Sequence, residues 1–152
     1  MKRLLIVMIL SRSLCPAAGA PGVSQKHIDE IAKYWQSVLR LTDWHISVSL
    51  VGIDDLPEHS AAVGRWDHDL HVGAIRVLQP ADYAEAATRG WMPPLRGQAI
   101  LRDIEDSIVH ELIHLRLHDF READEDHMRT AEEYTVVRLT DALLSAKRRW
   151  AR

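Results

Sequence analysis

Cysteine is almost missing from this chain: its 152 residues hold one, Cys15. Stability must therefore come from a packed core, and a chain of this length can bury one without disulfides. A surplus of basic charge is missing too. The formal net charge is −3, and no basic block is large enough to suggest a nucleic-acid partner. Lys147-Arg148-Arg149 stands at the end of a predicted helix, where cations complement the carbonyl end of the helix dipole. No apolar run approaches the roughly 20 residues that a membrane span requires. Internal repeats and low-complexity tracts are absent. Hydrophobic residues make up 47% and charged residues 27%, the balance of an ordinary globular protein.

The N-terminus differs from the rest. Met1-Lys2-Arg3 is basic, Leu4 to Leu10 is continuously apolar, and Ala18-Gly19-Ala20 has a small-x-small pattern. This order reads as a secretory signal over residues 1–20, with a secreted or periplasmic chain starting near Pro21. The competing reading is an N-terminal arm, or an upstream start codon, on a cytoplasmic protein. Cys15 lies inside this segment, so it cannot serve a processed form as ligand or nucleophile. Lipid attachment there is disfavoured by Arg12, three residues before the cysteine. Residues 21–152 are then expected to form a single domain.

Along that domain, Ser24 can cap a helix beginning at Gln25, with Ile28, Ile31, Ala32, Trp35, Val38 and Leu39 at helical spacing. Trp44, Ile46, Val48 and Leu50 alternate with polar residues, which predicts a half-buried strand over 44–51. A strand pair follows at Ala62 to Trp66 and Leu70 to Leu78, turning at Asp67-His68-Asp69 and stopped by Pro80. Residues 81–97 carry Gly90, Pro93, Pro94 and Gly97 and read as a loop with one helical turn near Tyr83 to Thr88. Helices are expected from Ile100 to Leu117 and from Thr130 to Arg149. The fold class is α+β: an N-terminal helix, a small twisted sheet and two further helices.

The chemistry-bearing segment is Ile108-Val109-His110-Glu111-Leu112-Ile113-His114-Leu115. Histidines four apart on a helix lie one turn above each other, so His110 and His114 can reach one ion. Glu111 projects beside that ion and can take a proton from a metal-activated water and pass it on. Ile104, Ile108, Leu112 and Leu115 form the core-facing stripe, leaving the histidines to one side. An imidazole pair next to a core costs free energy unless something satisfies both rings, and a metal does so. The bland alternative is a surface helix with two solvated histidines.

A catalytic zinc takes three protein ligands and an open fourth position. His118 continues the series, but about 12 Å of helical rise separates it from His110, so it is rejected. The last helix carries Glu132 and Glu133 at the start of an apolar stripe read as Val136, Val137, Leu139, Leu143 and Leu144. On the helical wheel Glu133 lies about 40° and Glu132 about 60° from the stripe centre, which slightly favours Glu133 as ligand with Glu132 a solvated neighbour. Tyr134, His127 and Tyr83 are candidates for a transition-state donor. The strand around Ala74 to Leu78 is either an edge that aligns an extended peptide or an internal strand.

The His-Glu-x-x-His segment, followed by Glu132-Glu133-x-x-Val136-Val137, resembles the zincin metallopeptidases. Within them it is similar to the gluzincin type and to minimal phage-type zincin domains. Eighteen residues lie between His114 and Glu133, the spacing of aminopeptidase-type gluzincins, whereas Glu132 would leave seventeen. The resemblance covers residues 106–140. It implies a zincin-like fold, one zinc ion per chain held by His110, His114 and Glu133, Glu111 as general base, and hydrolysis of a peptide or protein substrate. The alternative is a non-catalytic or regulatory module of the same fold. Val137 stands where a second acid would orient a histidine, which leaves the partners of His110 and His114 unassigned. The aminopeptidase Gly-rich motif is absent, so that specificity is not implied.

Overall fold

The computed structural model describes residues 23–118 and 125–150, with side chains at 23–117 and 130–150. The signal expectation for residues 1–20 and the side chains of His118 and His127 lie outside it. The elements run α1 (Gln25–Val38), β1 (His45–Val51), β2 (Ala62–Asp67), β3 (Val72–Leu78), α2 (Tyr83–Thr88), α3 (Gln98–His118) and α4 (Glu125–Trp150). This is the expected α+β order. Ser24 caps α1, its hydroxyl accepting from the His27 N–H at 3.3 Å. Helix α4 starts at Glu125, several residues before the expected Thr130.

The strand order is β1-β3-β2, with β1 parallel and β2 antiparallel to β3. Strand β3, read from sequence as a possible edge, is therefore the centre of the sheet. Its backbone is paired on both sides, and the two edges are β1 and β2, of which β2 borders α3. In register, Val48 meets Ile75 and Ile75 meets Gly64, so Ile46, Val48 and Leu50 of β1 share one face with Ile75 and Val77 of β3 and Ala62, Gly64 and Trp66 of β2. That face is covered by α1 and α3, while α4 packs against α3.

The core joins Ile28 and Trp35 of α1, Ile75 and Val77 of β3, and Ile104, Ile108, Leu112 and Leu115 of α3, all nearly inaccessible to solvent. The stripe expected on α3 is thus the one buried. On α4 the expectation needs correcting. Val136, Thr140 and Leu144 are buried, whereas Val137 and Leu139 are 44% and 41% exposed. The contact row is i, i+4, i+8, and counted back by four from Val136 it reaches Glu132, not Glu133. Val137 and Leu139 are apolar yet exposed, so apolarity alone places the stripe too far towards Glu133.

Glu105 ties the three long helices together. Its Oε1 accepts from the Trp35 indole N–H at 2.8 Å and from Lys147 Nζ at 2.5 Å. Arg148 reaches Asp106 at 3.0 Å. The cations at the end of α4 therefore also bridge to α3, and these links hold α4 in register beside the histidines.

Candidate metal centre

Three side chains from two helices converge. His110 Nε2 and His114 Nε2 are 3.1 Å apart. Glu133 spans them, with Oε1 at 3.2 Å from His110 Nε2 and Oε2 at 3.1 Å from His114 Nε2. The three groups offer ligand atoms all within 4.8 Å of one another. A tetrahedral ion with bonds of about 2.0–2.1 Å has its ligands roughly 3.3 Å apart, so the two nitrogens and the carboxylate already stand at nearly that separation. The donor set, two imidazoles and a carboxylate, suits zinc. Burial holds the His110 pKa below its ordinary value, and His114 adds to this while Glu133 opposes it. A neutral imidazole with a lone pair is the form that binds a metal.

Glu132 is not the solvated neighbour that the helical wheel indicated. Its side chain is 11% exposed, and Oε1 lies 2.9 Å from His114 Nδ1. With the Nδ1–H donating to this carboxylate, the Nε2 lone pair of His114 points to Glu133 and His110. This is the carboxylate–histidine arrangement that fixes the tautomer and ring orientation of a ligand. Glu133, 55% exposed, reaches the nitrogens from the side of the helix row. Adjacent glutamates, about 100° apart on the helix, thus take different places around one histidine. Glu132→Ala should weaken metal binding about 10- to 100-fold. Competition with a chelator measures this, and unchanged affinity would show that Glu132 does not orient His114.

Glu111 follows His110 on α3 and turns towards β2, where its carboxylate accepts a hydrogen bond from the Gly64 backbone N–H. Burial raises the Glu111 pKa, opposed by His114 and by that hydrogen bond. Glycine is required at this contact. A Cβ on Gly64 would overlap the Trp66 ring and come 2.7 Å from Glu111 Oε2. Trp66 itself lies over Gly73, its register partner on β3, at 3.2 Å from where a Cβ there would be. Two glycines thus let one indole lie flat on the sheet while a carboxylate closes on the strand edge. Gly64→Ala should displace the Trp66 ring and the Glu111 carboxylate and lower the thermal midpoint by several degrees, since the added Cβ overlaps the ring. Calorimetry of the parent and the variant tests this; an unchanged midpoint would mean that the contact is not close.

The triad borders a cleft of about 500 Å³ between the start of β2 and helices α3 and α4. His59 and Ala62 line one wall, Glu111 and His110 the floor, and Glu133 and Thr140 the other wall. His59 has a left-handed backbone, φ 63°, uncommon for a residue with a Cβ. The donor candidates fare differently. Tyr83 is buried, its hydroxyl donates to Asp103 Oδ2 at 2.9 Å, and its pKa is raised chiefly by burial. Tyr134 is exposed, with Arg138 over its ring at 5.4 Å. Neither lines the cleft.

Sequence reasoning missed Gly64, Trp66, His59 and Thr140. A glycine two residues before a tryptophan in a strand was a usable signal for the first pair. His59 and Thr140 had none. Comparison with family models, with curated proteins and with solved structures returned no match.

Proposed function

We propose that the chain is a zinc-dependent metallopeptidase of gluzincin type, with His110, His114 and Glu133 holding the metal and Glu111 as general base. The reading is carried by one observation: His110 Nε2, His114 Nε2 and the Glu133 carboxylate meet at 3.1–3.2 Å, with a carboxylate held beside them by a strand backbone. Zinc, when bound, supplies a Lewis acid that polarises a carbonyl and eases ionisation of water at neutral pH.

Glu111 then receives the proton of the attacking water and delivers it to the departing amine. Its partly buried position favours this role, because a carboxylate pKa raised towards the working pH accepts and returns a proton more evenly. The Gly64 N–H keeps the carboxylate aimed while it changes charge. Glu132 holds the His114 ring so that its Nε2 stays turned inwards.

The sheet edge supports a peptide as the substrate. The Gly64 N–H bonds Glu111, so it faces away from the ladder with β3. Two residues back, Ala62 points its backbone groups the same way and lines the cleft. An extended chain can pair with that edge and bring a peptide bond to the triad. The test is turnover of a broad peptide library by the zinc-loaded protein, read by mass spectrometry. Cleavage that a chelator stops and zinc restores is expected; an intact library would sink the reading.

A further inference from the structure

Away from the cleft, exposed apolar side chains gather where α1 and α4 lie side by side. Leu139, Leu143, Ala146 and Trp150 follow one another at four, three and four residues along α4, which makes one stripe by helical period. It is separate from the buried row of Val136, Thr140 and Leu144. Leu143, Ala146 and Trp150 line a groove of about 370 Å³ whose α1 wall includes Tyr34 and Val38. Trp150 is 90% exposed, Tyr34 46%, Val38 44% and Leu139 41%. Neighbouring apolar side chains left in water to this extent mark an interaction surface. None of them lines the cleft that holds the triad.

The unmatched charge beside this groove is positive. Lys33 precedes Tyr34, Arg149 precedes Trp150, and Arg40 follows Val38 by two residues. All three are exposed, and their side chains make no hydrogen bond or ion pair among the described residues. The nearby acids are already matched. Glu105 bonds Lys147, Asp106 bonds Arg148, and Glu30 lies 3.9 Å from Lys26. Lys147 also stands 4.7 Å from the centre of the Tyr34 ring, which holds that ring at the groove. Three free cations thus accompany an apolar groove in a chain whose net charge is −3.

We propose that this groove and its rim are a docking surface for an anionic lipid bilayer. Tryptophan and tyrosine settle at the headgroup level, with the apolar ring inwards and the polar N–H or O–H towards water. Lysines and arginines beside them are drawn to acidic headgroups. Trp150 and Tyr34 supply the first kind of contact, and Lys33, Arg40 and Arg149 the second. A second copy of the chain suits the surface less. Two-fold pairing lays a patch on its own like, which would bring these unmatched cations together. The surface shares no residue with the cleft, so the proposal does not depend on the peptidase reading.

The test is co-sedimentation of the full chain with vesicles of phosphatidylcholine, alone or mixed with phosphatidylglycerol. Binding should be at least about tenfold tighter to the mixed vesicles and should weaken as salt is raised. Trp150→Ala should reduce it at least about tenfold, because the indole supplies most of the inserted apolar area. Lys33→Gln and Arg149→Gln should each reduce it roughly fivefold, the effect of one cation near an acidic surface. These side chains are exposed, so the variants should keep the parent's thermal midpoint. No binding, equal binding to both vesicles, or binding that all three variants leave unchanged overturns the proposal. A dimer that Trp150→Ala dissolves, with no vesicle binding, would give the groove to a second copy. Binding to poly-glutamate but not to vesicles would give it to an acidic protein.

Discussion

Glu111→Gln should keep the fold and one zinc per chain while losing peptide hydrolysis by about 10²- to 10⁴-fold, the range that a positioned acid–base group contributes. Glutamine has the shape of the residue it replaces. Its amide oxygen can still accept from the Gly64 N–H that the Glu111 carboxylate now occupies. It cannot accept a proton from water at neutral pH. It also leaves untouched the contacts among His110, His114 and Glu133, at 3.1–3.2 Å. The comparison thus isolates proton transfer from metal binding and from placement. Metal content by atomic absorption, beside turnover of the best peptide from the library, decides it. A Gln form as active as the parent would move the base elsewhere. A Gln form without zinc would mean that Glu111 supports the metal and not the proton.

Loss of a ligand should have the second large effect, on metal and stability together. His110→Ala, His114→Ala and Glu133→Ala each leave two of the three donor groups that meet at the centre. Each should lose stoichiometric zinc against a chelator that the parent withstands, because one removed ligand forfeits a bond and opens the site to water. An ion that binds only the folded chain at 100 to 1,000 times its dissociation constant adds about 3–4 kcal/mol. That corresponds to roughly 10 °C in thermal midpoint for a chain of this size. Zinc should therefore raise the parent's midpoint and barely change those of the three variants. Calorimetry with and without the metal reads this difference. Retention of one zinc by both histidine variants would place the site elsewhere. For Glu133, the same result would leave Glu132 as the carboxylate that matters most.

What the sequence determined by itself was local. The spacing of His110 and His114 and the stripe of Ile104, Ile108, Leu112 and Leu115 follow from helical periodicity, and the structure buries that stripe. The Ser24 cap and the alternation of Ile46, Val48 and Leu50 are likewise short-range facts. The tertiary structure alone decided which residues of other elements meet them. Whether β3 is an edge depends on where β1 and β2 pair, and no residue of β3 encodes that. The rotation of α4 depends on what packs against it: Lys147 and Arg148 reach across to Glu105 and Asp106, and Val136, Thr140 and Leu144 face inwards although Val137 and Leu139 are more apolar than threonine. That rotation puts Glu132 on His114 Nδ1 and Glu133 on the two Nε2 atoms. It also buries the hydroxyl of Thr140 in the cleft wall. The physical reason is one of range. Helical and strand periods act between neighbours along the chain, whereas the partner of a carboxylate is chosen by how whole helices and a sheet edge pack.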